Sequence, residues 1–142
     1  MRTELKLTKE QFTEAGFIFE KANGNYHSDF EKKIISESEF TKLNPSELEQ
    51  LIVDGLNSGI YKNEGERVSG YWSLSKIGNP NLISEFKKWL QIELNNGNGI
   101  AIFQLLVALD RLNEPVFDES RTGRGEDETE LNLIDAQNYL NR

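Results

Sequence analysis

The spacing of its three prolines is the feature that most constrains how this chain folds. Pro45, Pro80 and Pro115 are each 35 residues apart, and Asn44 and Asn79 precede the first two. Asparagine is a favoured helix N-cap, and proline is tolerated at the first helical position because the N–H it lacks has no intrahelical partner there. The spacing therefore predicts that a helix opens at each proline, as in a series of stacked helical hairpins.

Apolar residues recur at helical spacing through most of the sequence. Thr8 with Gln11 and Ser28 with Glu31 match the capping box, which marks two further helix starts. The predicted helices span about residues 9–22, 28–40, 45–58, 80–94 and 100–112. A last helix carries Leu131, Ile134, Tyr139 and Leu140. The run IAIFQLLVALDRL is apolar on nearly every side, so we expect its helix to form the centre of the core.

The segment from Arg67 to Ile77 fits two periods. Val68, Trp72 and Leu74 alternate as in a strand, whereas Val68, Tyr71 and Trp72 lie on one helical face. The 35-residue offset favours the helix, because it superposes this segment on the apolar run near residue 106. The alternative is an α+β domain in which TELKL and RVSGYWSL are the strands of a small hairpin.

The later part of the periodic pattern resembles a known repeat family. YWSLSKIGNPNLISEFKKWL resembles the inner part of a HEAT or armadillo-type α-solenoid repeat, and IFQLLVALDRLNEPVF resembles a degenerate next repeat. The resemblance covers about residues 67–117, and it implies a short HEAT-like solenoid that serves as a protein-binding scaffold. An irregular helical bundle of the same six or seven helices is the other arrangement. Either way, we expect a mainly α-helical single domain over residues 1–142.

Charge and composition narrow the class of partner. The chain has 24 acidic and 16 Lys or Arg residues, for a net charge of −8. Such a charge repels nucleic acids and anionic membranes and speeds encounter with a basic protein. The N-terminal sequence MRTELKLTKE has no apolar signal region, and no stretch approaches the roughly 18 apolar residues of a membrane span. We therefore expect a cytoplasmic protein with a protein partner.

The sequence lacks cysteine, has a single histidine and contains no catalytic motif. There is no cysteine, so disulfides, thiolate zinc sites and Cys nucleophiles are excluded. The single histidine, His27, is predicted to lie in a loop before a helix. No phosphate-loop, dinucleotide or EF-hand pattern occurs. We expect no enzymatic activity, no cofactor and no metal.

One polar segment stands out as a candidate partner-binding surface. DESRTGRGEDE, residues 118–128, contains no apolar residue and predicts an exposed loop. Its carboxylates also complement the dipole of the helix that follows, which is the structural alternative to binding. Trp72 and Trp89 are predicted to be core residues, with interface anchoring as the alternative. The candidate partner-binding residues are Asp118, Glu119, Arg121, Arg124, Glu126, Asp127, Glu128 and Glu130.

These features are similar in style to those of bacterial immunity proteins, which neutralise a cognate toxin. The shared features are small size, acidity, an Asn/Lys/Glu-rich composition and the lack of a catalytic motif. We expect an acidic inhibitor that covers a basic toxin domain, such as a nuclease, with carboxylates where the toxin binds phosphates. The alternatives are a helical-repeat adaptor that holds two proteins together and, less favoured, an enzyme that uses carboxylates or a divalent metal.

Overall fold

A computed structural model of the chain describes residues 6–24 and 28–142. It is 71% helical, and the described residues form seven α-helices, two short 3-10 helices and no strand. The prediction of a mainly α-helical fold with six or seven helices is therefore confirmed. The α-helices are α1 (Lys9–Ala22), α2 (Asp29–Glu37), α3 (Pro45–Ser58), α4 (Glu64–Ser75), α5 (Ile83–Asn96), α6 (Gly99–Arg111) and α7 (Thr129–Leu140).

The α+β alternative is wrong where the structure describes its proposed strands. RVSGYWSL lies within α4, and Lys6 and Leu7 of TELKL are not in a strand. The rest of TELKL, and His27, lie outside the described residues. Asn63 and Glu66 form a capping box at the start of α4. Its two hydrogen bonds, which a strand would not make, favour the helical conformation of this segment. Within the described ranges, none of the helices combines the length and apolar character needed to cross a membrane.

Two compact units divide the chain, Met1–Ile77 (unit 1) and Gly78–Arg142 (unit 2). Unit 1 contains α1 to α4 with the 3-10 helix Glu39–Lys42, and unit 2 contains the 3-10 helix Pro80–Leu82 with α5 to α7. The segment resembling HEAT repeats covers α4, α5 and α6 and so belongs to both units. The solenoid arrangement and the single domain over residues 1–142 stay predictions.

In unit 1, α1 packs against α4, and Gly16 permits the close approach. A Cβ atom at this position would lie 2.8 Å from Cη2 of Trp72, which is half-buried. Phe12 is fully buried beside Tyr61, with ring centroids 5.2 Å apart. The Tyr61 hydroxyl accepts a hydrogen bond from the backbone N–H of Leu7 at 2.9 Å, which holds the segment before α1 against the core. Aromatic side chains from α1, α4 and the segment between α3 and α4 thus contribute to the core of unit 1.

In unit 2, α6 contacts both α5 and α7. Its inward residues, Ile102, Leu105, Leu106 and Leu109 among them, are fully buried. Trp89 on α5 is also buried, as predicted. This packing confirms that α6 is covered on more than one face, because a helix so apolar needs neighbours on several sides.

The predicted helix start at Pro115 is wrong. Pro45 opens α3, and Pro80 opens a 3-10 turn that leads into α5. After Pro115, the chain has no α-helix until Thr129. The reason is that Val116 and Phe117 are followed by eleven residues, 118–128, with no apolar stripe that a helix could bury.

Candidate functional site

The segment between α6 and α7 is fastened by one buried arginine. The Arg121 side chain is only 3% exposed. Its Nη1 donates hydrogen bonds to Oδ2 of Asp135 at 2.8 Å and to Oδ1 of Asn132 at 3.0 Å. Its Nη2 pairs with the carboxylate of Glu128, and its Nε donates to the carbonyl oxygen of Gly123 at 3.1 Å. The segment is a loop, as predicted. The prediction that the whole loop is exposed is wrong at Arg121, whose side chain is buried.

Opposite charges keep this arginine ionised inside the protein. Burial acts to lower the pKa of the Arg121 guanidinium, but hydrogen bonds to Asp135 and Glu128 outweigh burial and hold the pKa above its ordinary value. A buried ion pair of this kind is stable only when its remaining hydrogen-bonding groups are satisfied. Asn132 and the Gly123 carbonyl meet that need. The buried Arg121 side chain therefore holds the loop in place, and its part in partner binding stays a prediction.

The same cluster positions the start of α7. Glu128 is the N-cap residue of α7, yet its side chain makes no cap hydrogen bond because it pairs with Arg121. The side-chain amide of Asn132 donates to the carbonyl oxygen of Gly125 at 3.0 Å, which ties the loop to the first turn of the helix. Arg121, Glu128, Asn132 and Asp135 are called the Arg121 cluster below.

The second arginine of the loop lies on an aromatic ring. Arg124 is exposed, and its guanidinium carbon lies 4.9 Å from the ring centroid of Phe117. The Arg121 guanidinium lies 5.4 Å from the same centroid. Both cations of the loop are therefore engaged by groups of unit 2.

Four carboxylates of the loop region remain outward. Glu119, Glu126, Asp127 and Glu130 are exposed, and among the described residues their carboxylates make no hydrogen bond or ion pair. Asp118 differs, because its carboxylate accepts hydrogen bonds from Oγ and the backbone N–H of Ser120, at 2.7 and 2.8 Å. These bonds hold the pKa of Asp118 below its ordinary value. This set, defined by its exposure and not by mutual contact, is called the acidic patch below; it consists of Glu119, Glu126, Asp127 and Glu130.

The orientation of α7 adds an apolar element beside the acidic patch. Its buried face carries Asn132 and Asp135, which are 1% and 4% exposed. Its outward face carries Leu131 and Ile134, which are 45% and 51% exposed. Sequence reasoning placed Leu131 and Ile134 on this helix but missed the buried polar pair. The three-residue spacing of Asn132 and Asp135, which puts them on one helical face, was the available signal.

The described residues contain no candidate metal site. Across ranges 6–24 and 28–142, no group of three or more His, Asp or Glu side chains could hold a metal ion. Comparison with known proteins finds no matching protein-family model, no matching curated protein and no matching solved structure.

Proposed function

We propose that this chain is an acidic inhibitor that binds a basic protein partner directly, as an immunity protein neutralises its toxin. The observation that carries the proposal is the separation of charge in the loop before α7. Arg121 is buried among carboxylates, whereas the acidic patch is exposed, as is Arg124, which lies on Phe117. The outward carboxylates are thus not paired with either arginine of the loop.

Capture would begin with long-range attraction. The net charge of −8 raises the rate of encounter with a cation-rich surface, and salt reduces this effect by screening exposed charges. Carboxylates at the interface then replace the phosphates that a nuclease toxin would otherwise bind. Inhibition follows from covering the substrate-binding surface, without any chemical step on this chain.

The first test identifies the partner and measures its association. The tagged protein is used to purify partners from its host at low and then moderate salt, and association rates are measured with the recovered partner. Replacing Glu119, Glu126 and Glu130 by Gln and Asp127 by Asn should slow association about tenfold at low salt and flatten its salt dependence.

A charge-matched control comes from unit 1. Replacing Glu10, Glu14 and Glu37 by Gln and Asp29 by Asn also removes four negative charges, all of them from α1 and α2. This variant should slow association much less, because local charge affects a docking rate more than net charge does. Equal slowing by both variants would assign the effect to net charge and reject the acidic patch. A recovered toxin whose activity survives saturation with this protein would reject inhibition.

An adaptor that binds two proteins is the second candidate, and the presence of two compact units favours it. Unit 1 has its own exposed aromatic residue, Phe30, which is 72% exposed on α2. An adaptor should form a ternary complex with two recovered proteins and leave the activity of each unchanged. Size-exclusion chromatography with light scattering separates this result from a one-to-one inhibitor complex.

A further inference from the structure

The final helix departs from an ordinary amphipathic helix, because it buries two polar residues beside Ala136 and Tyr139 and leaves two aliphatic residues exposed. Asn132 and Asp135 point inward to Arg121, and the aliphatic Leu131 and Ile134 point outward. Amphipathic helices of water-soluble proteins normally bury their aliphatic stripe. The Arg121 cluster explains why two polar residues are inside. It does not require aliphatic residues outside, since polar side chains at 131 and 134 would leave its hydrogen bonds in place.

The acidic residues beside Leu131 and Ile134 indicate what kind of surface would complement this face. Asp127, Glu130 and Leu131 line one shallow depression at the start of α7. Leu131 and Ile134 are three residues apart, and so lie one above the other on the helix surface. A complementary surface therefore needs aliphatic side chains flanked by lysine or arginine. Such a pattern is typical of an amphipathic segment bound against a helix.

A second copy of the chain fits this face poorly. A two-fold contact through α7 would bring the same patch of each copy together, and with it Asp127 and Glu130 of both. Each copy also carries a net charge of −8. The repulsion disfavours self-association, so a basic partner is the better match.

We propose that the outward face of α7, with Leu131 and Ile134 as its anchors and Asp127 and Glu130 at its edge, docks a basic amphipathic segment of the partner. The inference rests on the proposed function, because it assumes that the acidic patch attracts the partner. It adds that burial of the aliphatic pair, and not the charge alone, holds the complex together. Desolvated anchors of this kind govern dissociation rates, whereas charges at the rim govern association rates.

The test uses a synthetic amphipathic helical peptide of leucine and lysine with a fluorescent label. Anisotropy gives its Kd for the full chain, and methyl NMR identifies the side chains that it contacts. Two control peptides are used, one of the same composition in scrambled order and one with glutamate for lysine. The lysine peptide should bind and shift the methyl signals of Leu131 and Ile134, and both controls should bind more weakly.

Three protein variants separate the contributions. Leu131→Gln with Ile134→Gln should weaken peptide binding at least about tenfold, and Asp127→Asn with Glu130→Gln should reduce its salt dependence. Phe30→Gln, which removes the exposed aromatic residue of unit 1, should leave the Kd unchanged. Circular dichroism should show that all three variants keep their helicity, since every substituted side chain is exposed.

The possible results distinguish the inference from the proposed function. Unchanged binding in Leu131→Gln/Ile134→Gln, with weakened binding in Asp127→Asn/Glu130→Gln, would overturn the docking face and leave acidic capture standing. Equal binding of the glutamate peptide would overturn the choice of a basic partner. If neither pair of substitutions affects binding, both proposals fail. A concentration-dependent dimer that Leu131→Gln/Ile134→Gln abolishes would identify the occupant as a second copy and overturn the inference.

Discussion

The two units begin their helices by different means. In unit 1, all four α-helices start with a capping box formed by residues three positions apart. In unit 2, no side-chain cap hydrogen bond is present at the start of α5, α6 or α7. Asn98 and Glu128 occupy the N-cap positions of α6 and α7, but their side chains bond to Glu93 and Arg121.

The difference lies in how far apart in the sequence the hydrogen-bonded polar groups are. A capping box satisfies backbone N–H groups within one turn of helix, so its contribution is local. Arg121 reaches Asp135, fourteen residues along the chain, and both charges are buried. The helix starts of unit 1 are thus stabilised by separate local hydrogen bonds, one capping box for each helix. The loop before α7 and the start of α7 are instead held by one set of contacts, the Arg121 cluster.

The largest expected effect is the loss of that cluster. Arg121→Met should lower the free energy of unfolding of unit 2 by about 3 kcal/mol, because it leaves Asp135 buried without a cation. Urea denaturation gives the total effect, and native-state hydrogen exchange shows whether amides of α7 lose protection before those of α1.

Two matched variants test the assignment to a buried charge. Arg121→Met with Asp135→Leu should recover much of the loss, since removing both partners of a buried pair is far less costly than removing one. Lys6→Met breaks the exposed pair of Lys6 with Glu66 in unit 1 and should cost less than about 1 kcal/mol. A loss for Arg121→Met no larger than that for Lys6→Met would remove the contrast between the units.

An intermediate effect is expected from the local caps of unit 1. Asn44→Ala removes the side chain that accepts a hydrogen bond from the backbone N–H of Glu47 at 2.9 Å. It should destabilise unit 1 by about 1 kcal/mol, as measured by urea denaturation. Gln50→Ala, at an exposed position inside the same helix, is the control and should change stability by no more than about 0.5 kcal/mol. Similar values for the two variants would show that this cap contributes little.

The smallest expected effect concerns Tyr139 and changes the stability of the fold only at alkaline pH. Burial raises the pKa of Tyr139 above its ordinary value of 10.0, and the hydrogen bond that its hydroxyl donates to Glu114 raises it further. The folded chain therefore keeps this phenol neutral where the unfolded chain ionises it. The resulting stability is fully present below about pH 10 and is lost as the pH rises above that value.

Burial also raises the pKa of Tyr61, so both units carry a tyrosine of this kind. Tyr139→Phe should reduce the loss of stability between about pH 9 and pH 11, measured as the shift of the urea midpoint. Tyrosinate absorbance provides the second readout, because Tyr61 and Tyr139 should stay neutral in the folded protein over an interval in which they ionise in the unfolded chain. An unchanged alkaline slope in Tyr139→Phe would show that another group is responsible.

Sequence reasoning succeeded where the signal is local. The starts of α1, α2 and α3 follow from Thr8, Ser28 and Asn44, because each cap and its partner lie within four residues of each other. The α4 segment was ambiguous from its apolar period alone, and its capping box at Asn63 was missed. Pro115 failed as a helix start because a proline marks a helix only when an apolar stripe follows it.

Some features of the candidate site also follow from the sequence, whereas others do not. Composition and residue order determined the mainly helical fold, the loop before α7 and the acidic character of that region. Only the tertiary structure decided that Arg121 is buried and pairs with Glu128 and Asp135, that the acidic patch remains exposed, and that α7 exposes Leu131 and Ile134. The physical reason is that a charged side chain is buried only when oppositely charged and hydrogen-bonding groups, often distant in sequence, surround it. The residues next to an arginine in the sequence do not indicate which carboxylate it will pair with.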